Sequence, residues 1–232
     1  DDDCYIPPRQ INRMRRKVLE MLSQKRSHKH DRQLIQLNSL EIIKSSIPMG
    51  DTSKQDSPEY IAGIRNYKAA ISAVNSGADS VYILSDAYEG DIIPETVKIA
   101  EVCRSMGKSL FYVLPNIMPD REKREINGRL EVIIKEADLK YFGMVVSEPG
   151  QLDMVRSLGI DRMRTNYSMN VFNSISAAHW QREGAEAVGV SAELKLPQIK
   201  EISSNIGVAV EAVVYGYLPV MTPGDAIAPI MV

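Results

Sequence analysis

Six times along the chain a helix-like stretch stops at a small or polar breaker and runs straight into a short apolar segment. Ser76-Gly77-Ala78-Asp79 precedes Val81–Leu84, Met106-Gly107 precedes Leu110–Leu114, and Ala137-Asp138 precedes Tyr141–Val146. Leu158-Gly159 leads into Arg162–Thr165, Glu183-Gly184-Ala185 into Val188–Val190, and Ile206-Gly207 into Val208–Val214. The breakers recur roughly every 20 to 31 residues, the length of one strand, one helix and two short loops. Such a rhythm specifies parallel strands alternating with crossover helices.

The spacing predicts strands at Tyr60–Ile64, Val81–Leu84, Leu110–Leu114, Tyr141–Val146, Met163–Met169, Val188–Ser191 and Val208–Tyr215. Amphipathic helices lie between them, as where Val97, Ala100 and Cys103 share one face against Glu95, Lys98 and Glu101. Near-continuous apolar strands suit a sheet covered by helices on one face and closed on itself on the other. The expected fold is α/β: a TIM-barrel-like (β/α) barrel, incomplete with about seven parallel strands. The ending at Ala228–Val232 reads like an interior segment, so the barrel over residues 59–232 is expected to be truncated at its C-terminal end.

Residues 1–58 read differently. Pro7-Pro8 opens a helix through Ile11, Met14, Val18, Leu19 and Leu22. From Ser23 to Pro58 the pattern loosens into a polar linker, with one short apolar piece at Leu34–Ile43. Between Arg9 and Arg32 stand nine Lys or Arg residues against Glu20 and Asp31. A basic run of this kind can meet nucleic-acid phosphates or simply face water, and it lacks interleaved aromatic residues for base stacking.

The composition, 44% apolar and 25% charged with a net charge of −2, is that of an ordinary globular protein. No stretch approaches the ~20 apolar residues of a membrane span, and Asp1–Cys4 lacks the regions of a secretory signal. Two cysteines far apart in sequence form no disulfide framework. The expected location is the cytoplasm.

Reacting groups of a (β/α) barrel come from the strand ends that enter the following loops. Those positions hold Ser85-Asp86, Pro115-Asn116, Ser147-Glu148, Ser168 through Asn173, Ser191-Ala192-Glu193 and Tyr215-Gly216-Tyr217. Glu148 and Glu193 are the candidate catalytic carboxylates, able to act as acid and base if their surroundings separate their pKa values. Asn116, Ser168, Asn170, Asn173, Ser191 and Tyr215 are the candidate substrate contacts. Ser and Asn also favour helix caps, and Asn173-Ser174 before Ile175 reads equally as one. Cys103, inside a helix pattern, reads as a buried structural thiol, and His179 as partly buried against its neighbours. The sequence carries no HExxH, no Gly-x-Ser-x-Gly elbow, no phosphate-binding glycine loop and no Cys-x-x-Cys. No metal site is expected from these residues.

Several segments, in order, resemble the collagenase-like peptidase family U32, in particular the second half of its longer members. They are Ile11–Leu19, Gly77–Ile83, Asn170–Ser174, Ser191–Ile199 and Val214–Met221. The resemblance implies a TIM-barrel-like domain of a bacterial or archaeal cytoplasmic protein and a peptidase label, with a protein or peptide substrate. It implies equally a role in oxygen-independent hydroxylation, of RNA pyrimidines or of a quinone precursor, by relatives that resemble iron–sulfur proteins. Their cluster cysteines begin shortly after the stretch similar to Tyr215–Met221. Here Thr222–Pro229 has none, and Cys4 and Cys103 cannot supply four thiolates. A cluster is therefore expected only outside this chain. Tyr217 also stands where relatives often have an arginine. A third reading is a non-catalytic barrel that presents its rim to a ligand or partner.

Overall fold

A computed structural model describes residues 7–28 and 57–218. The chain divides into two units, Asp1–Ser46 and Ile47–Val232. In the first unit, helix α1 spans Pro8–His28. Cys4, most of the expected linker including Leu34–Ile43, and Thr222–Pro229 lie outside the described residues.

The second unit alternates strands and helices as the breaker rhythm predicts. Strands β1 to β7 run Ile61–Ile64, Ser80–Leu84, Ser109–Val113, Phe142–Val146, Met163–Thr165, Ala185–Gly189 and Ala209–Glu211. Helices α2 to α7 run Tyr67–Asn75, Ile92–Ser105, Asp120–Glu136, Leu152–Ser157, Ser174–Arg182 and Leu196–Ser204. All six strand pairs are parallel and the strand order is sequential, β1 to β7. The result is a TIM-barrel-like half-barrel, with β1 and β7 as its two sheet edges. Closure of the sheet on itself, expected from the apolar strands, does not occur among the described residues.

Helix ends follow local chemistry. Asn66 caps α2 by accepting from the Ala69 amide at 2.9 Å, and the breaker Gly77 follows in the left-handed region at φ 98°. Gly107 ends α3 in the same way at φ 65°. Three expectations shift, and one is the seventh strand, which ends at Glu211, four residues short of Tyr215. The fifth strand stops at Thr165 because Tyr167–Met169 turns into a 3-10 helix. The sixth begins at Ala185, three residues earlier than its apolar run, with a register shift opposite Met163/Arg164.

Alternation divides the strand side chains between two environments. Ile64, Val81, Ile83, Leu110, Tyr112, Met144 and Val188 face the helices and build the main core with Ile99, Cys103, Leu130, Ile133 and Ala177. On the concave face, Leu84, Val113 and Val145 form a small apolar layer with Phe111 and Tyr82. The same face also carries charge. Arg164 of β5, its side chain only 7% exposed, pairs with Glu59 at 3.1 Å, Glu186 at 2.8 Å and Glu211 at 2.8 Å. The Tyr82 hydroxyl donates to both Glu211 oxygens at 2.8 and 2.7 Å. Arg162 meets Glu186 at 3.0 Å and donates to Ser109 Oγ at 2.9 Å. The guanidinium groups of Arg164 and Arg162 lie 4.1 and 4.9 Å from the Phe111 ring centre. Gly143 makes room for that ring, since a Cβ there would stand 2.5 Å from Phe111 Cε1 and 2.7 Å from the Arg162 carbonyl oxygen.

These contacts tie the segment before β1 to β2, β5, β6 and β7, so the ionic knot spans the face whose outer strands share no ladder. Burial works against the Arg164 charge, yet Tyr82, Glu211 and Glu186 hold its pKa above the ordinary arginine value. Burial also raises Glu186, but hydrogen bonds from Arg162 and Arg164 outweigh it and hold that carboxyl below the usual range. Burial pushes Glu211 up, and the opposing pull of Arg164 and Tyr82 does not cancel it.

Two outcomes follow for stability. Arg164→Met leaves three carboxylates facing one another without their shared cation, and should cost about 3–5 kcal/mol; an unchanged denaturant midpoint would show that the knot contributes nothing. Glu211, with a raised folded pKa, stabilises the fold as it takes up a proton, so its term grows as pH falls from neutral toward the ordinary carboxylate range near ~4.3. The Glu186 term has the opposite sign and is lost only below that range. Glu211→Gln should therefore flatten the stability profile above pH ~4.3, and parallel profiles for the two proteins would refute the assignment.

Candidate functional site

Because all seven strands are parallel, their C-terminal ends open onto one rim, and the loops there carry most of the side chains singled out from sequence. The loops after β3, β4 and β5 are joined by a compact polar network. Ser147, immediately after β4, donates through Oγ to the Leu114 carbonyl at 2.7 Å. Asn166, immediately after β5, donates through Nδ2 to Ser147 Oγ at 2.9 Å and to Asn116 Oδ1 at 3.4 Å. Ser168 Oγ donates to the Ser147 carbonyl at 3.2 Å.

Gln151 holds the base of the network and is fully buried. Its Oε1 accepts from the amides of Ser147 at 2.7 Å and Glu148 at 3.3 Å, and its Nε2 donates to the Pro115 carbonyl at 2.7 Å. One side chain thus satisfies three backbone groups from two loops, which would each cost free energy if buried unpaired. Locally this is a turn-of-helix start: Glu148 precedes the 3-10 helix Pro149–Gln151, with Pro at its first position and Gln at its third.

Of the expected site residues, Asn116 and Ser168 enter this network. Glu148 borders it through its backbone amide and is half-buried. Ser191 lies just past the end of β6, buried, its Oγ accepting from the Glu193 amide at 3.4 Å. Glu193 itself is exposed. Among the described residues no hydrogen bond or ion pair joins Glu148 to Glu193.

Asn170 and Asn173 do backbone work. Asn170 ends the 3-10 helix Tyr167–Met169 in the left-handed region at φ 53°, a conformation asparagine tolerates better than most residues. Asn173 caps α6, its Oδ1 accepting from the Ser176 amide and hydroxyl, each at 2.9 Å. Between them Val171 pairs with Val190, so both asparagines flank a bridge that anchors the loop to the end of β6. Tyr215 follows β7 and is 96% exposed.

Sequence reasoning missed Asn166 and Gln151, and it placed Ser147 at a strand end without giving it a role. The Ser-Glu-Pro-Gly-Gln pattern, a helix start with an amide at its third position, was the available signal for Gln151. It also missed Tyr167, whose phenol is pushed up by burial and by the neighbouring Asp86 carboxylate. That phenol stays protonated, a donor at the rim near a carboxylate from the loop after β2. The rim therefore offers amides, hydroxyls, a phenol and carboxylates. Of the Asn116 amide only Oδ1 is engaged among the described residues, which leaves its Nδ2 donors for a ligand.

The thiol and imidazole candidates take no part in that network. Cys103 lies in α3, fully buried in the main core, and burial pushes its thiol up to about 11. His179 is exposed on α6, edge-on to Trp180 at 5.1 Å, a correction to its expected partial burial; Trp180 is the neighbour that points inward. Among the described residues no group of three His, Cys, Asp or Glu side chains is arranged to hold a metal. With Cys103 their only cysteine, they do not fit an iron–sulfur cluster. No described helix is long and apolar enough to cross a membrane.

Comparison with known proteins places this rim in context. The chain is 28% identical over 177 residues to the tRNA hydroxylation protein P of Haemophilus influenzae, covering 71% of this chain and 37% of that protein. It is 22% identical to the tRNA hydroxylation protein P1 of Bacillus subtilis, with 79% and 44% covered. It is also 20% identical to a collagenase of Porphyromonas gingivalis, with 64% and 36% covered. The chain thus spans less than half the length of these relatives. The solved U32 peptidase Mk0906 shares the fold, with a TM-score of 0.52, 16% identity, and 68% and 70% of the two chains covered. The model of peptidase family U32 matches residues 65–228, from the end of β1 past β7. By that match, and with its parallel half-barrel, the chain belongs to peptidase family U32.

Proposed function

We propose that this chain is the barrel domain of an RNA-modifying protein that hydroxylates a pyrimidine of tRNA. The observation that carries the reading is similarity to tRNA hydroxylation proteins of three bacteria, extending over 69–79% of the chain. The polar rim supports it. Asn116 and Ser168 are suited to hydrogen-bond a base edge, and the exposed Tyr215 ring offers a stacking face. Glu148 and Glu193 are the proposed acid and base at strand ends, with Ser191 and Asn173 shaping the loops beside them. Asn170 belongs to this proposal as a positioning residue, through its left-handed turn. An iron–sulfur cluster, if the reaction uses one, would be held by cysteines outside the described residues.

A collagenase-like peptidase activity is the second reading, carried by the family's name and the Porphyromonas gingivalis relative. It would act on protein or peptide substrates through the same two carboxylates. The buried, proton-retaining Cys103 thiol does not supply it with a nucleophile. Cleavage of denatured collagen by the complete protein, abolished in Glu148→Gln, would favour this reading over the first.

Deleting the gene should remove one hydroxylated pyrimidine from total tRNA, as read by nucleoside mass spectrometry, and an unaltered nucleoside profile would sink the hydroxylation reading. Complementation with Asn116→Ala should leave that nucleoside reduced by about 10-fold, the effect of removing one substrate hydrogen bond of roughly 1.4 kcal/mol. Protein abundance should hold, since Asn116 is an acceptor at the edge of the rim network and not its base.

A further inference from the structure

We infer that one face of α1 is an RNA-backbone docking surface formed by Arg9, Arg13, Arg16 and Lys17. The inference rests on the tRNA reading above and adds to it where the polynucleotide is held. On a helix of 3.6 residues per turn these four side chains project within a single arc. Arg9, Arg13 and Lys17 follow at intervals of four residues, ~6 Å apart along the axis, with Arg16 beside them. The large apolar residues Ile11, Met14, Val18, Met21 and Leu22 occupy the opposite side and are 45–64% exposed. Lys25 and Arg15 project on the apolar side, but the arc of the four cations contains no apolar residue.

Nothing in the helix itself accounts for this placement. Cations near a helix N-terminus oppose the macrodipole, and like charges four residues apart repel. Lys25 and Arg26, in the last turns, are where the dipole favours them, but Arg9 and Arg13 are not. The first turn holds no acidic residue. Among the described residues none of the four cations has an ion-pair partner; Glu20, further along the same face, is the one acid on this helix. A stripe that weakens its own helix on two counts, and is left unneutralised by the described residues, is matched to an external polyanion. A regular file of point charges suits a phosphate backbone, which such side chains contact without reading sequence.

The test uses the full protein and unfractionated tRNA from cells lacking the gene. Replacing all four residues by Gln should weaken binding at least ~10-fold near 0.1 M salt and make the log–log salt dependence shallower by about 3, close to one for each phosphate no longer neutralised. Arg9→Lys, Arg13→Lys and Arg16→Lys combined should retain both affinity and slope, because charge and not guanidinium geometry is at issue. Circular dichroism checks that each variant keeps its helix. Unchanged affinity and slope in the Gln variant would overturn the inference. So would tight binding of the protein to phosphatidylglycerol vesicles that tRNA does not displace, which would assign the stripe to lipid headgroups. The readout is binding, so a variant that fails to bind while the nucleoside profile of the deletion strain is normal would separate this surface from the hydroxylation reading.

Discussion

A buried guanidinium links the two edges of the half-barrel through side chains. Arg164 sits in the middle of β5 and reaches carboxylates placed by the segment before β1, by β6 and by β7. An open parallel sheet has no main-chain bond between its outer strands, and the knot supplies a side-chain link across the concave face. Removing charges from water is costly, and the attraction between them offsets that cost only where geometry and further hydrogen bonds are favourable. Here the Tyr82 hydroxyl, the Arg162 guanidinium and the Phe111 ring complete the arrangement. At the Glu211 carboxyl, burial outweighs pairing with Arg164 and Tyr82.

Leu84, Val113 and Val145 form an apolar patch beside the knot on the concave face, with Val145 the direct register partner of Arg164. The concave face and its rim differ in chemistry. In the knot, charges are mutually saturated and serve the fold. Beyond the strand ends, groups such as the Asn116 amide and the exposed Glu193 carboxylate retain hydrogen-bonding capacity. The rim is nevertheless preorganised, because buried Gln151 satisfies backbone groups of two loops at once and Ser147 links a third through Asn166. Side chains that would contact a substrate are thereby supported by partners that do not need to move.

The sequence and the tertiary structure contribute unequally to the rim. Asn116, Ser168 and Glu148 were legible as strand-end residues, since any parallel (β/α) unit delivers such positions to one edge. Asn170 and Asn173 were legible as residue types but ambiguous in role. Asparagine suits a left-handed turn and a helix cap as readily as a binding site, and here it serves the turn and the cap. Asn166 gave no local signal, because its partners Ser147 and Asn116 lie 19 and 50 residues away.

By itself the sequence determined the order, number and direction of the strands, and the helices between them. The change from a helical period to a short apolar run, punctuated by glycine, is a local property that neighbouring residues express directly. Only the tertiary structure decided what fills the concave face. Arg162, Arg164, Glu186 and Glu211 look, residue by residue, like polar interruptions in apolar strands. Tyr82 and Glu211 are 129 residues apart, and nothing local tells that they share a hydrogen bond. Pairings of that kind arise from strand register and sheet curvature, which exist only once the whole unit has assembled.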